Sequence, residues 1–291
     1  MRETAPPAPP ALPIVSSIAP LAAGREAWLA DVWGVMHNGV EPFAAACDAC
    51  ARFRLAGGIV VLLSNAPRPA ASVASQLDRI GVPRFSWDAI VSSGDAARAM
   101  IGELAGQPVF HLGPERDLVL YDGLEVKLAG AEAAAAVICT GLFDDEIETP
   151  DDYADMLRGF AARALPMVCA NPDLVVERGS KLVYCAGALA RAYEQLGGGV
   201  RYAGKPYLPI YDMAFATIAK LKGRSVPKSK ILAIGDGVRT DIEGAAAAGV
   251  ASVFITSGVD VAGGRLHQET LAVLFAGHGA PPIAAMPILA W

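Results

Sequence analysis

The stretch LADVWGVMHNG, residues 29–39, decides how this chain is read. Its apolar run up to Asp31 has the character of a buried strand that delivers a carboxylate to its carboxyl end. Gly34, three residues on, permits a tight turn that leaves the carboxylate exposed. An aspartate after a strand is common. This one gains meaning because three further segments follow it in a telling order: VVLLSN reaches Ser64, YAGKP carries Lys205, and ILAIGDGVRTD carries Asp236 and Asp241.

Strand-like and helix-like segments alternate over most of the chain. AWLAD, IVVLLS, AIVSS, VFHLG, AVICTG, PMVCA, ILAIGD and ASVFIT read as short strands, separated by Ala-rich segments of helical character such as PAASVASQLDRIG and TPDDYADMLRGFAARA. That pattern predicts an α/β fold with largely parallel sheets, whose sites gather at the carboxyl ends of strands. Asp31 and Ser64 stand near the start, while Lys205, Asp236 and Asp241 fall in the last third. The simplest architecture is a core from 14–103 and 204–291, interrupted by an inserted lid over 104–203 and preceded by a mobile Pro-rich tail, 1–13. Gly197, Gly198 and Gly199 read as a flexible connection from lid to core. Gly263 to Trp291 reads as a helix, a turn at HGAPP and a last apolar segment packed on the core.

With 291 residues, 53% of them hydrophobic and 19% charged, the chain can bury a sizeable core. A net charge of −6 argues against nucleic acid or an anionic membrane as main partner. No apolar run approaches the ~20 residues that span a bilayer, and residues 1–13 lack the apolar core of a signal peptide. A cytoplasmic protein is expected. Among the five cysteines, Cys47 and Cys50 form a CxxC inside a segment of helical character, and no second pair completes a zinc site. They read as small buried residues.

A carboxylate that attacks phosphorus divides one hard hydrolysis into two displacements. Because two anions must then meet, cation help is needed. Asp31, Asp236 and Asp241 would form an oxygen-rich site suited to Mg²⁺. The plainer reading of Asp236 and Asp241 is a solvated turn with a helix N-cap. Ser64 and the following backbone N–H could hold a phosphoryl oxygen, with Asn65 and the helix opening near Arg68 adding donors; Ser-Asn is also an ordinary cap. Lys205 would neutralise charge between nucleophile and phosphate.

The ordered set resembles the haloacid dehalogenase-like superfamily, whose motifs are a nucleophilic Asp, a Ser or Thr, a Lys and a paired acidic motif. The insertion point and the segment CANPDLVVERGSKLVYCAGALARAYEQ are similar to the subfamily with a large α/β cap, which includes 4-nitrophenyl, sugar and pyridoxal phosphatases. The resemblance implies a doubly wound, Rossmann-like parallel-sheet core with an inserted α/β cap domain, acting on a small phosphorylated substrate. Asp31 takes the nucleophile's place, Ser64 and Lys205 the phosphate contacts, and Asp236 and Asp241 the Mg²⁺ positions, joined by the backbone carbonyl of Trp33. Asn65, Asn171 and Asp173 fall at substrate-facing positions, and a homodimer is common among such proteins.

One residue departs from the pattern. Phosphatases of the superfamily carry a second Asp two residues after the nucleophile, which protonates the leaving oxygen and then activates water. Here Trp33 stands there, with no proton to exchange, and loss of such help costs ~10²–10⁴-fold in rate. Three readings stay open: a Mg²⁺-dependent phosphatase or phosphotransferase that manages without that Asp; a fold that binds a phosphorylated ligand or a partner with catalysis impaired; and a metal-independent dehalogenase, which the paired acids disfavour. His37, six residues past Asp31, is a candidate substitute acid–base group, though a histidine after a tight turn is more often incidental.

Overall fold

Strand β1, Ala27–Asp31, sets the centre of the molecule. Its side chains alternate between two faces, and both are buried: Trp28 and Ala30 on one side, Ala27 and Leu29 on the other. A strand covered on both faces reads as continuously apolar, as AWLA does. Beside it run β2 (Ile59–Ser64) and β3 (Ala89–Ser92). The computed structural model describes residues 12–178, 181–256 and 268–291.

Between β3 and the return to this sheet lies a second α/β unit. Its strands are β4 (Pro108–Leu112), β5 (Lys127–Leu128), β6 (Ala136–Cys139) and β7 (Met167–Cys169), followed by a hairpin of β8 (Val175–Arg178) and β9 (Lys181–Tyr184), then β10 (Val200–Tyr202). The chain then adds β11 (Ile231–Gly235), β12 (Ala251–Ile255) and β13 (Ala284–Met286). Two parallel sheets result: six strands in the order β13-β12-β11-β1-β2-β3 and five in the order β10-β7-β6-β4-β5, with the antiparallel hairpin separate. This is the doubly wound parallel-sheet core with an inserted α/β unit expected from the sequence.

The strand order places the site. From β1 the chain winds outward through β2 and β3 on one side and through β11 to β13 on the other. The crevice at such a reversal, outside the carboxyl ends of the strands, is where open α/β sheets bind ligands. Asp31 aligns with Leu63 of β2, and Ala30 with Ile234 of β11, so Asp31, Ser64 and Asp236 all emerge at that edge.

Helices cover both faces. After the short α1 (Ala19–Ala22), α2 (Ala44–Leu55) packs Ala46, Ala49, Cys50 and Phe53 on the Trp28 side, where Phe53 stacks on Trp28 at 4.1 Å and an interplanar angle of 5°. α3 (Ala70–Ile80) lies on this side too, through Leu77. α4 (Ser93–Gly102), opened by a capping box of Ser92 and Asp95, instead packs Ala97 and Ile101 against Val109 and Ile138 of the second sheet. α5 (Ala154–Ala162) and α6 (Ala186–Gln195) cover that sheet's other face, while α7 (Leu208–Lys222) and α8 (Glu243–Ala247) cover the Leu29 face of the first.

All five cysteines are free and buried, and Cys47 and Cys50 sit in the α2 core. The glycine run differs from its reading as a lid-to-core connection. Gly197, at φ +85°, ends α6, and Gly198 lies against the Tyr193 ring where a Cβ would be 2.3 Å from it. The chain then enters β10, still in the second sheet, so these glycines are a helix stop. Residues 1–11 and 257–267 lie outside the described residues, and with them most of the Pro-rich segment and His267. Pro13 accepts a hydrogen bond from Ala285 N–H at 2.8 Å, α9 spans Gln268–Leu274, and Trp291 docks 6.4 Å from Trp28. Truncating the stacked ring should be costly: Phe53→Ala is expected to lose ~3–5 kcal/mol in urea unfolding, and a loss under about 1 kcal/mol would show that the stack contributes little.

Candidate active site

Asp31 ends β1 with its side chain only 12% exposed. Its Oδ1 accepts from Val32 N–H at 2.7 Å and from Lys205 Nζ at 2.6 Å, so the second oxygen keeps no hydrogen-bond partner among the described residues. Lys205, 2% exposed, also donates to Asp241 Oδ1 at 2.7 Å. One buried ammonium thus ties two carboxylates from distant parts of the chain. Burial by itself would push the Lys205 pKa down, but Asp241 and Asp31 outweigh it and hold the lysine above its ordinary value. Asp241 answers in kind: burial and the Asp31 charge push its carboxyl up to about 7, against the pull of Lys205.

The sequence prepares each of these positions. Gly34 adopts φ +75°, and a Cβ there would stand 1.7 Å from Asp236 Oδ2. The turn after Asp31 therefore needs glycine for its backbone and for the close approach of the Asp236 carboxylate. Around Asp241 the need is for room: a Cβ on Gly235 would meet Asp241 Cγ at 2.1 Å, and Gly237 N–H donates to Asp241 Oδ2 at 3.1 Å. Asp241 lies in a π-helical turn, Val238–Ile242, and is buried, so the N-cap alternative does not describe it. Asp31, Asp236 and Asp241 each place one carboxylate oxygen within 4.8 Å of the others, an all-oxygen donor set of the kind that suits a hard divalent cation.

Ser64 ends β2, buried, with its Oγ accepting from Ala66 N–H at 3.2 Å. Asn65 is a clamp. Its Oδ1 accepts from Lys205 N–H at 2.7 Å, and its Nδ2 donates to Lys205 O at 3.1 Å and to Asp173 Oδ1 at 2.8 Å. Both amide donors are spent on the protein, so Asn65 positions the lysine and the inserted unit. Asn171 Oδ1 accepts from Asp173 N–H at 3.0 Å and shapes the loop that delivers Asp173. Gly204 allows the approach, since a Cβ would lie 2.4 Å from Asn65 Oδ1. Burial raises the Asp173 pKa, opposed by Asn65 and Lys205.

One cleft of about 880 Å³ is lined by Asp31, Ser64, Lys205 and Asp236 together with Arg116, Asp117 and Asp145 of the inserted unit. Trp33 lines it too, half-buried, its ring edge-on to His37 at 5.2 Å and pressed close over Gly39, where a Cβ would lie 2.3 Å away. His37 is 1% exposed, and its Nδ1 accepts from Gly39 N–H at 2.8 Å, which assigns the proton to Nε2. Burial lowers its pKa to about 4. A neutral ring committed to the turn is a support for Trp33, which fits the incidental reading of this histidine. The arginines and aspartates of the inserted unit carry no signal in the sequence, because isolated charges in loops are ordinary.

Residues 28–127 match the family model described as haloacid dehalogenase-like hydrolase, and residues 202–272 a second described as HAD-hydrolase-like. A solved structure of a haloacid dehalogenase-like hydrolase from Brucella suis 1330 is 45% identical, with a TM-score of 0.86 over 95% of this chain and 100% of that one. The chain belongs to the haloacid dehalogenase-like hydrolases. This hydrolase is also similar to the D-glycerol 3-phosphate phosphatase of Mycobacterium tuberculosis, 29% identical over 267 residues, 86% of this chain and 68% of that relative. A glycerol phosphate phosphatase from the same organism, solved in complex with magnesium, shares the fold at 22% identity and a TM-score of 0.66, over 91% of this chain and 75% of that one; it has been solved with calcium as well.

Two substitutions test the geometry. Lys205→Met leaves two buried carboxylates facing each other and should cost ~3–5 kcal/mol in urea unfolding; a cost within about 0.5 kcal/mol of wild type, ordinary for a surface change, would contradict the buried triad. Gly34→Ala should lower the melting temperature and displace Asp236 in a crystal structure; an unmoved Asp236 would show that the turn tolerates a side chain.

Proposed function

We propose that this hydrolase is a Mg²⁺-dependent phosphatase or phosphotransferase of small phosphorylated metabolites, working through an aspartyl-phosphate on Asp31. The observation that carries the reading is the joining of Asp31, Lys205 and Asp241 in one buried chain, with Asp236 beside them, at the reversal of the sheet. The names of its relatives support the same chemistry, since one acts on D-glycerol 3-phosphate.

In the proposed reaction the free oxygen of Asp31 bonds to phosphorus as the bond from phosphorus to the leaving oxygen breaks. Ser64 Oγ and the backbone N–H groups that follow it hold a phosphoryl oxygen. Lys205, bonded to Asp31, offsets charge as the two anions meet. Asp31, Asp236, Asp241 and the Trp33 carbonyl would hold Mg²⁺, which supplies charge neutralisation on the phosphoryl oxygens. The inserted unit acts as the cap, closing over the substrate and excluding water.

Trp33 shapes which substrates turn over. It can neither protonate a departing alkoxide nor activate water, and the neutral, internally bonded His37 does not replace it. Leaving groups of low pKa, such as aryl and acyl phosphates, need little protonation, so the first displacement proceeds and breakdown of the phosphoenzyme becomes slow. Retention of both Asp236 and Asp241 speaks against a dehalogenase, which has no use for a metal. A catalytically impaired ligand-binding protein is the second reading, and Trp33 alone favours it.

Rapid mixing with 4-nitrophenyl phosphate and Mg²⁺ should give a burst of up to one equivalent of nitrophenol followed by a slow phase, both lost in Asp31→Asn. Linear release would place the slow step elsewhere, and no release across a broad ester panel would favour the binding protein. Mg²⁺ affinity should fall as pH drops through about 7, because a proton on Asp241 competes with the metal. Calorimetry at pH 8 and pH 5.5 checks this, and equal affinities would contradict it.

A further inference from the structure

The proposed reaction leaves unused the part of the cleft farther along from Ser64. Arg68, four residues after Ser64 in the same loop, lines it, as do Arg116 and Arg178 of the inserted unit. With Arg239, four guanidinium groups line this one cleft, notable in a chain of net charge −6. Arg116 and Arg178 already share Asp145, whose side chain is 10% exposed; Arg178 donates to both its oxygens at 3.0 and 2.9 Å. Arg68 is less well matched. Its Nε stands 3.8 Å from Asp117 Oδ1, beyond hydrogen-bond reach, and among the described residues its guanidinium makes a single hydrogen bond, to Gln76 Oε1 at 3.1 Å.

The backbone of Arg68, by contrast, is fixed firmly. Ser92 Oγ donates to its carbonyl at 2.7 Å, and Gly94 packs so closely that a Cβ would lie 2.4 Å from the Arg68 carbonyl carbon and oxygen. A rigid anchor thus presents a side chain that is 28% exposed and holds most of its five donors in reserve. Burial lowers the Arg68 pKa; among its charged neighbours Asp117 opposes this, while Arg116, Arg79 and Arg178 add to it. A planar guanidinium fork with unspent donors matches a carboxylate or phosphate in two-point contact.

We propose that Arg68, supported by Arg116 and Arg178, binds a second anionic group at the far end of the substrate, so that the preferred esters are phosphate monoesters carrying a carboxylate or a second phosphate. The phosphoryl group lies against Asp31 and Lys205 while the distal anion reaches Arg68. This rests on the phosphatase reading above. It makes Arg68 a specificity residue, binding ground state and transition state alike.

The test compares two esters that differ only at the distal carbon, as competitive inhibitors of 4-nitrophenyl phosphate turnover in the Mg²⁺-loaded protein. 3-Phosphoglycerate should have an inhibition constant at least about tenfold lower than glycerol 3-phosphate, the worth of one charge-assisted hydrogen bond. Propane-1,3-diol bisphosphate tells a phosphate tail from a carboxylate by which of the two inhibits at lower concentration. Arg68→Gln should bring the constants for 3-phosphoglycerate and glycerol 3-phosphate together, and Arg68→Lys should keep part of the gap. Equal constants for all three compounds in wild type would overturn the subsite and leave the phosphatase reading standing. Absence of any 4-nitrophenyl phosphate turnover would instead overturn the phosphatase reading, and the subsite with it.

Discussion

A single buried ammonium holds this site together. Lys205 bonds to Asp31 at the end of the central strand and to Asp241 in the loop after β11, and almost none of it reaches solvent. Buried charges of this kind are costly unless each is paired, and the surrounding structure is built to keep them so. Asn65 fixes the lysine's backbone at both its N–H and its carbonyl, while the glycines at 34, 235 and 237 let the carboxylates approach closely. The pairing also explains why segments 174 and 36 residues apart in sequence from Lys205 must meet: the sheet order brings them to one edge.

The arrangement carries a tension useful for chemistry. Three carboxylates cluster where one lysine bonds two of them, so the site holds an excess of negative charge, and burial already drives Asp241 towards its neutral form. A divalent cation would relieve that excess. The same residues that make the unliganded cluster uneasy are those a hard metal wants. In the proposed reaction Trp33 stands where a proton-transfer residue would be expected. Its ring is seated on His37 and Gly39 by packing that a small carboxylate would not fill, so the substitution is supported by its neighbours.

Much of this was legible in the sequence, for physical reasons. AWLAD, IVVLLS and ILAIGD are apolar on both faces because their strands are covered on both faces, and a parallel sheet then forces their terminal polar residues to one edge. The residues missed lack such a pattern. β5, with two residues, and β13, with AAM, are too short and plain to announce themselves, and the β8–β9 hairpin, VVER and KLVY, mixes apolar and charged residues with no strict alternation. Gly197–Gly199 looked like a linker because a run of glycines does not say which of them ends a helix and which makes room for a ring. Asn65 was legible as a polar residue at a strand end, but its work as a clamp on Lys205 depends on contacts across 140 residues. Arg68, Arg116 and Arg178 become a group only once the inserted unit folds over the core.

The account stands or falls on Asp31 as a phosphoryl acceptor beside a divalent ion. A crystal of the protein soaked with Mg²⁺ and beryllium fluoride tests this most directly. It should show the fluoride complex bonded to Asp31 and a metal bridging Asp31 and Asp236, with Lys205 against the ligand. Beryllium fluoride bound elsewhere, or a metal seated away from Asp236 and Asp241, would contradict it.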